Sequence, residues 1–390
     1  MATSKVLSEA IGAGFLSGNS SGTILGNTVS FADSTQISTA ASLGMRNRII
    51  NGGMTIDQRY AGGNTSWANS AGYMIDRMFG GGTFNGTLTS QIVSDAPIGF
   101  SNSLKITVTS SSTYSNASDY QRVGQIIEGY NISDLYQGTS SPSTVTASFW
   151  VKSSLSGTFG GYFSSGIEDS MYIFQYTINS TNTWEKKTIT IPGSIAGTWS
   201  STNGYGARLM FSLGCGPNRI TSTPNTWISS YAQQATGNIS IGTNVGATWQ
   251  ITGLQLEKGT TATPFEYRQY GTELALCQRY YECCYDIGGV PGTTTLDSST
   301  SAFGLAMTTS ILNCFIMYQV QKRAPPSATT IYAYNGTINK VSNYESNNLI
   351  GTAVTQRRGS QKGISQLTDS GSGFTVGTWY WFGWAANAEL

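Results

Sequence analysis

The sequence predicts an all-β chain built from antiparallel sandwiches. Apolar and polar residues alternate in one short segment after another. Gly, Asn and Ser fill the gaps between these segments. Glycine accounts for 47 of 390 residues, about 12% against an ordinary value of roughly 7%. That excess suits many tight turns, where glycine takes positive φ without steric cost.

Taken in chain order, residues 1–45 are small and polar and cannot bury much apolar surface alone. They read either as an arm that orders on a partner or as a loose terminus. Residues 46–270 read as the larger β domain. Leu104, Ile106 and Val108 alternate, as do Val145, Ala147, Phe149 and Val151. The pattern returns with Ile189 and Ile191, with Leu209, Phe211 and Leu213, and with Trp249 and Ile251. Gly253 then breaks the phase before Leu254 and Leu256, which predicts a β-bulge. Residues 271–280, "GTELALCQRY", are the best helix candidate, with Leu274, Cys277 and Tyr281 on one face. The segment is short and reads as a linker turn. Residues 271–390 form a second, smaller β domain, in which Pro325 and Pro326 forbid a central strand. In "TWYWFGW", alternation sends Trp379 and Trp381 to one face and Tyr380 and Phe382 to the other; a strand apolar on both faces is expected to be buried, either in the domain core or against a symmetry mate.

Charged residues make up only 11% of the chain and the net charge is +1. No basic block points to nucleic acid or to an anionic membrane surface. No run approaches the roughly 20 apolar residues of a membrane span, and the start lacks the apolar core of a secretory signal. Synthesis and assembly in a cytoplasm are the expectation. Histidine is absent, which excludes Ser-His-Asp and Cys-His catalysis and His-ligated metal.

Three of the five cysteines, Cys277, Cys283 and Cys284, fall within eight positions. The spacing does not match paired Cys-x2–4-Cys elements of a zinc site. An odd count in a reducing compartment disfavours a disulfide framework. Cys277 reads as a small apolar residue on the helix, and Cys283 and Cys284 as opposite faces of the strand that opens the second domain.

Three stretches carry a resemblance: "MRNRIINGGMTIDQRYAG" with "YMIDRMFGG", then "WQITGLQLEKGTTATPFEYRQYGTELALCQRYYE", and the end "GTWYWFGWAANAEL". Together they resemble bacteriophage tail-fibre and receptor-binding-type proteins, over about residues 45–390. The resemblance implies a jelly-roll domain similar to carbohydrate-binding modules, followed by a smaller C-terminal β domain forming a fibre tip. It also implies a homotrimer, attached to other virion proteins through residues 1–45 and binding host surface polysaccharide without catalysis. A capsid-mounted head fibre or decoration protein of the same fold is the alternative, and a polysaccharide depolymerase a more distant one. No cofactor, metal, nucleic acid or membrane insertion is implied, and the expected location is the virion.

Asp57, Arg59, Asp76 and Arg77 are expected to form Asp–Arg pairs at the sheet ends. Phe265 of "TPFE" is expected to plug the sandwich, with Glu257 and Glu266 as possible oxygen ligands for calcium. A glycosidase needs two carboxylates facing each other across the sugar. Glu168 and Asp169 are adjacent, and on a strand they point to opposite faces. Sugar binding needs only aromatic faces with polar partners. The candidates are Trp67, Trp199, Tyr205, Trp227 and Tyr231, each of which could instead be a packing residue.

Overall fold

A computed structural model describes residues 23–25, 28–30, 36–38, 45–293 and 300–390. The chain divides into a unit of residues 1–47 and a unit of residues 48–390. In the first, Thr23–Leu25, Thr28–Ser30 and Gln36–Ser38 pair as a short antiparallel meander. Apart from residue 45, the remaining residues of the proposed arm lie outside those described.

The second unit opens with a sandwich of two antiparallel sheets. One sheet has six strands in the order Glu185–Ile191, Val145–Ser153, Thr248–Lys258, Ser103–Ser110, Thr87–Val93 and Thr65–Trp67. The other has seven, in the order Trp227–Ile228, Met171–Ile178, Gly157–Ser165, Tyr205–Cys215, Tyr120–Glu128, Met78–Thr83 and Ala71–Ile75. The non-sequential order is that of a jelly roll. The alternating residues read from the sequence fill the space between the sheets: Leu104, Ile106, Val108, Val145, Phe149, Val151, Leu209, Phe211, Leu213 and Ile251 are all buried in one core. Trp249 lies at its centre, with its indole N–H donating to Tyr176 Oη at 3.1 Å.

The expected bulge is present. Gly253 has φ +61°, and the register between Val145–Ser153 and Thr248–Lys258 shifts at that point. The shift lets both Trp249–Ile251 and Leu254–Leu256 present side chains to the same core. A Cβ on Gly253 would stand 2.6 Å from the Phe100 ring. Gly253→Ala is therefore expected to cost about 2 kcal/mol, from the left-handed backbone alone and from displacement of the ring, read as a lower urea midpoint at unchanged slope.

Phe265 does not plug this core. It is half-buried on the outside, edge-on to Phe100 at 5.0 Å and to Tyr267 at 4.9 Å. Glu257 is occupied by Thr263, whose backbone N–H and hydroxyl both donate to it, and Glu266 pairs with Arg268 at 3.3 Å.

The helix spans Tyr270–Gln278. Glu273 in its first turn favours the helix dipole and also accepts the Asn51 backbone N–H. Its Cys277 joins Ile126, Met210 and Tyr280 in a second apolar cluster on the outer face of the seven-stranded sheet. Tyr281 has already left the helix for the strand Tyr281–Cys283.

The C-terminal region is organised by one long strand, Trp379–Asn387. Its first half pairs with Ala302–Thr308 and Val341–Asn343. Its second half pairs with Tyr281–Cys283 and Ala328–Tyr332. Beyond Ala302–Thr308 the sheet continues through Ile311–Met317 and Gly363–Asp369 to an edge strand, Val354–Gly359. Leu312, Ile331, Val341, Leu367, Tyr380 and Phe382 form this region's own core.

The arginines Arg59 and Arg77 do not pair with Asp57 and Asp76. Asp57 accepts the backbone N–H groups of Arg59, Tyr60 and Gly62. Asp76 accepts the backbone N–H and side-chain amide of Gln58. Both guanidiniums instead converge on Glu389, at 2.9 Å from Arg59 and in direct contact with Arg77. The tyrosines of "CQRYYE" cover them: the Tyr281 ring lies 3.8 Å from the Arg59 guanidinium and the Tyr280 ring 3.6 Å from that of Arg77. Burial works against the charge on both arginines, but Glu389 and the neighbouring acid and tyrosine groups together outweigh it, so both pKa values rise.

The clustered cysteines face different surroundings. Cys277 sits under the helix, the Cys283 thiol approaches the Gln58 carbonyl at 3.8 Å, and Cys284 packs against the C-terminal core. Burial pushes the thiols up, Cys283 to about 12 and Cys284 to about 11. They are structural groups at the junction rather than nucleophiles.

Candidate functional site

The five aromatic candidates scatter. Trp67 lies in the sandwich core, its indole N–H donating to Ser90 Oγ at 2.7 Å. Trp199 and Trp227 meet edge-on at 6.0 Å, and both pack against Phe163. Their indole N–H groups are taken by backbone carbonyls of Ala196 and Pro192, each at 2.9 Å. This is a packing cluster at the margin of the core. Tyr205 is exposed beside Arg208, whose guanidinium lies 5.4 Å from its ring.

Tyr231 belongs to a polar slot on the outer face of the seven-stranded sheet. There the Arg122 guanidinium donates to Tyr162 Oη, Glu168 and Tyr231 Oη. Tyr120 stands edge-on to Tyr231 at 6.1 Å, and Arg219 lies 4.2 Å from the Tyr231 ring. Glu168 is not on a strand. It occupies the hairpin turn after Gly157–Ser165 with φ +63°. Asp169 turns away, accepting the Ser165 hydroxyl at 2.5 Å and the Thr198 backbone N–H at 3.0 Å. Burial opposes its ionisation, and those hydrogen bonds together hold its pKa below the usual value. Helix residues Leu274 and Cys277 and the residues around Ala232 roof the remainder of this face.

The open surface is in the C-terminal region. Within the single chain, the strand "TWYWFGW" is covered on one side only. Tyr380 and Phe382 point into the core, as alternation predicts, while Trp379 is 53% exposed and Trp381 partly so. Antiparallel register sets Trp381 opposite Phe303, and Trp379 opposite Leu305. Phe303 meets Tyr344 edge-on at 5.6 Å, and Tyr334 lies nearly parallel to Trp381 at 6.1 Å. The Trp381 indole N–H donates to Asn347 Oδ1 at 3.2 Å. The same face continues through Asn313, opposite Leu305, to Gln366, opposite Asn313. The Gln366 amide donates to Asn313 Oδ1 at 2.8 Å. The product is a solvent-facing surface of rings and carboxamides. The sequence signalled it in the doubled alternation of 379–382, which also fits a buried strand. Tyr334, Tyr344 and Phe303 carry no local signal, because the fold brings them together from three separate strands and turns.

Comparison with known proteins gives fold neighbours only. No family model matches the chain, and no curated protein does. Among solved structures, the enzymatically active domain of bacteriophage CBA120 tailspike protein 4 aligns at 15% identity over 55% of this chain and 22% of that one, with a TM-score of 0.29. A family 11 carbohydrate-binding module from Clostridium thermocellum, in complex with a β-1,3-1,4-mixed-linked tetrasaccharide, aligns at 11% identity over 51% of this chain and 98% of that one, with a TM-score of 0.27. The CBM22-1 xylan-binding domain from Paenibacillus barcinonensis Xyn10C aligns at 14% identity over 52% and 99%, with a TM-score of 0.23.

Proposed function

We propose that the chain is a virion fibre protein that binds host-surface polysaccharide without cleaving it. One observation carries the binding: Trp379, Trp381, Tyr334 and Tyr344 are displayed on the C-terminal sheet beside Asn313, Asn347 and Gln366. Aromatic faces take the apolar side of a pyranose, and carboxamides exchange hydrogen bonds with its hydroxyls. The fibre role, the homotrimer and attachment through residues 1–45 rest on the resemblance of the three sequence stretches. Absence of cleavage is supported by the carboxylates. Glu168 is held by Arg122 and Tyr162, and Asp169 by Ser165 and Thr198. A glycosidase general acid needs a raised pKa and a facing partner, whereas Asp169 is lowered.

Polysaccharide binding by the full chain, followed by tryptophan fluorescence, tests this. Trp379→Ala and Trp381→Ala are each expected to weaken binding about tenfold, the equivalent of one stacked ring at about 1.4 kcal/mol. Unchanged affinity in both variants, or clearing of a polysaccharide overlay by the purified protein, refutes the reading.

A further inference from the structure

We propose that the polysaccharide taken by the C-terminal face is acidic, carrying repeated carboxylate, sulfate or phosphate groups. This deepens the preceding assignment and rests on it.

The argument starts from where the molecule leaves positive charge. Cations are sparse in this chain, and the fold mostly neutralises them. Arg59, Arg77, Arg122, Arg268, Arg279 and Lys322 are each paired with a glutamate. Arg357, Arg358 and Lys362 are exposed, and among the described residues none of the three is paired with a carboxylate.

Their placement ties them to the ring face. Arg358 sits opposite Gln366 in the register and so shares its side of the sheet. Arg357 Nη1 donates to Gln366 Oε1 at 3.0 Å, and Gln366 in turn donates to Asn313. The register row runs Trp379, Leu305, Asn313, Gln366, Arg358, with Arg357 bonded to Gln366 alongside. Four strand steps separate its ends, a span of about 19 Å, long enough for several linked sugars. Beside this row, Arg358 and Lys362 line a groove of 250 Å³ together with Phe315 and Met317. Phe315 is 80% exposed and Met317 59%. A chain stacked on Trp379 and Trp381 and extended along the row would lay its distal units over three unneutralised cations. A neutral glycan would leave those charges unused, whereas anionic groups would complete them. Glu345 lies in the turn after Tyr344, at the ring end of the row.

Charges on an edge strand also discourage strand addition, and Val354–Gly359 is such an edge. That role predicts self-association on their removal, with no effect on ligand choice.

The test compares polygalacturonate with its fully methyl-esterified form, which has the same backbone without the charge. Binding to the full chain is measured at low ionic strength and at about 1 M salt, where the screening length is about 3 Å. Polygalacturonate is expected to bind at least about tenfold more tightly than the ester at low salt, with the advantage lost at high salt. The triple variant Arg357→Gln, Arg358→Gln, Lys362→Gln is expected to lose that advantage while keeping the weaker binding to the ester. Equal affinity for the two polymers, or a triple variant that aggregates with ligand preference unchanged, overturns the acidic assignment and leaves the glycan-binding one standing. Binding of neither polymer overturns both.

Discussion

Replacing Glu389 with alanine is expected to destabilise the fold by about 3–5 kcal/mol, the cost of breaking a buried ion pair from one side. Two guanidiniums depend on this carboxylate. The Arg77 side chain is 1% exposed and that of Arg59 9%. Arginine does not neutralise itself by losing a proton, so neither charge has an escape short of local unfolding. The Tyr280 and Tyr281 rings solvate part of the charge through their faces, worth about 1–2 kcal/mol when desolvated, and so reduce the loss without cancelling it. Arg77 also keeps its bond to the Ile126 carbonyl at 2.6 Å. Glu389→Gln preserves the shape and one acceptor and is expected to fall between wild type and alanine. Equilibrium urea unfolding reads the series. A loss below about 1 kcal/mol for Glu389→Ala would show that water or a rearranged carboxylate replaces the pair.

Glu282→Ala is expected to have a similar effect near neutral pH but a different dependence on pH. Lys322 is fully buried and pairs with Glu282 at 2.5 Å. Glu282 also accepts the Gln319 backbone N–H. Burial lowers the lysine pKa, and Glu282 opposes that shift. Removing the carboxylate leaves burial unopposed, so the folded-state pKa falls further below the unfolded one. Unfolding then takes up a proton throughout the window between the two pKa values. Stability of the variant should rise with pH across that window, and its deficit against wild type should shrink toward the ordinary lysine range. Glu389→Ala should show no such recovery. Identical pH profiles for the two variants would contradict the assignment of a charged, buried Lys322.

These two pairs mark where reading from sequence stops. The sandwich was legible because its signal is local. Alternation at 104–108, 145–151 and 209–213 places each side chain by the two-residue repeat alone, and the glycine that breaks phase at 253 lies on the affected strand. The ligands of Arg59 and Arg77 were assigned to the nearest acids, Asp57 and Asp76. Those acids are consumed by neighbouring backbone N–H groups, and the true partner lies 330 and 312 positions away. Nothing local distinguishes Glu389 from any other glutamate. The aromatic candidates, each of which could also be a packing residue, lie apart for a related reason. Trp199 and Trp227 meet each other and Phe163 at the sandwich margin, contacts between segments far apart in the chain. The exposed rings belong to a strand whose alternation was read correctly and whose second face was expected to be covered by the core or by a symmetry mate. Whether a neighbour covers a sheet face depends on connections that periodicity does not encode.

The Glu389 clamp also sets a timetable. Synthesis proceeds from the N-terminus at about 5–20 residues per second, so Arg59 and Arg77 emerge on the order of half a minute before the glutamate that neutralises them. During that interval the strands of the first sandwich can already pair, since their partners lie within the first 258 residues. The part of its seven-stranded sheet that lies beneath the helix and the C-terminal residues, however, waits with the two cations for residues 270–390. Neutralisation of the two guanidiniums and closure of that face thus come last in the order of synthesis.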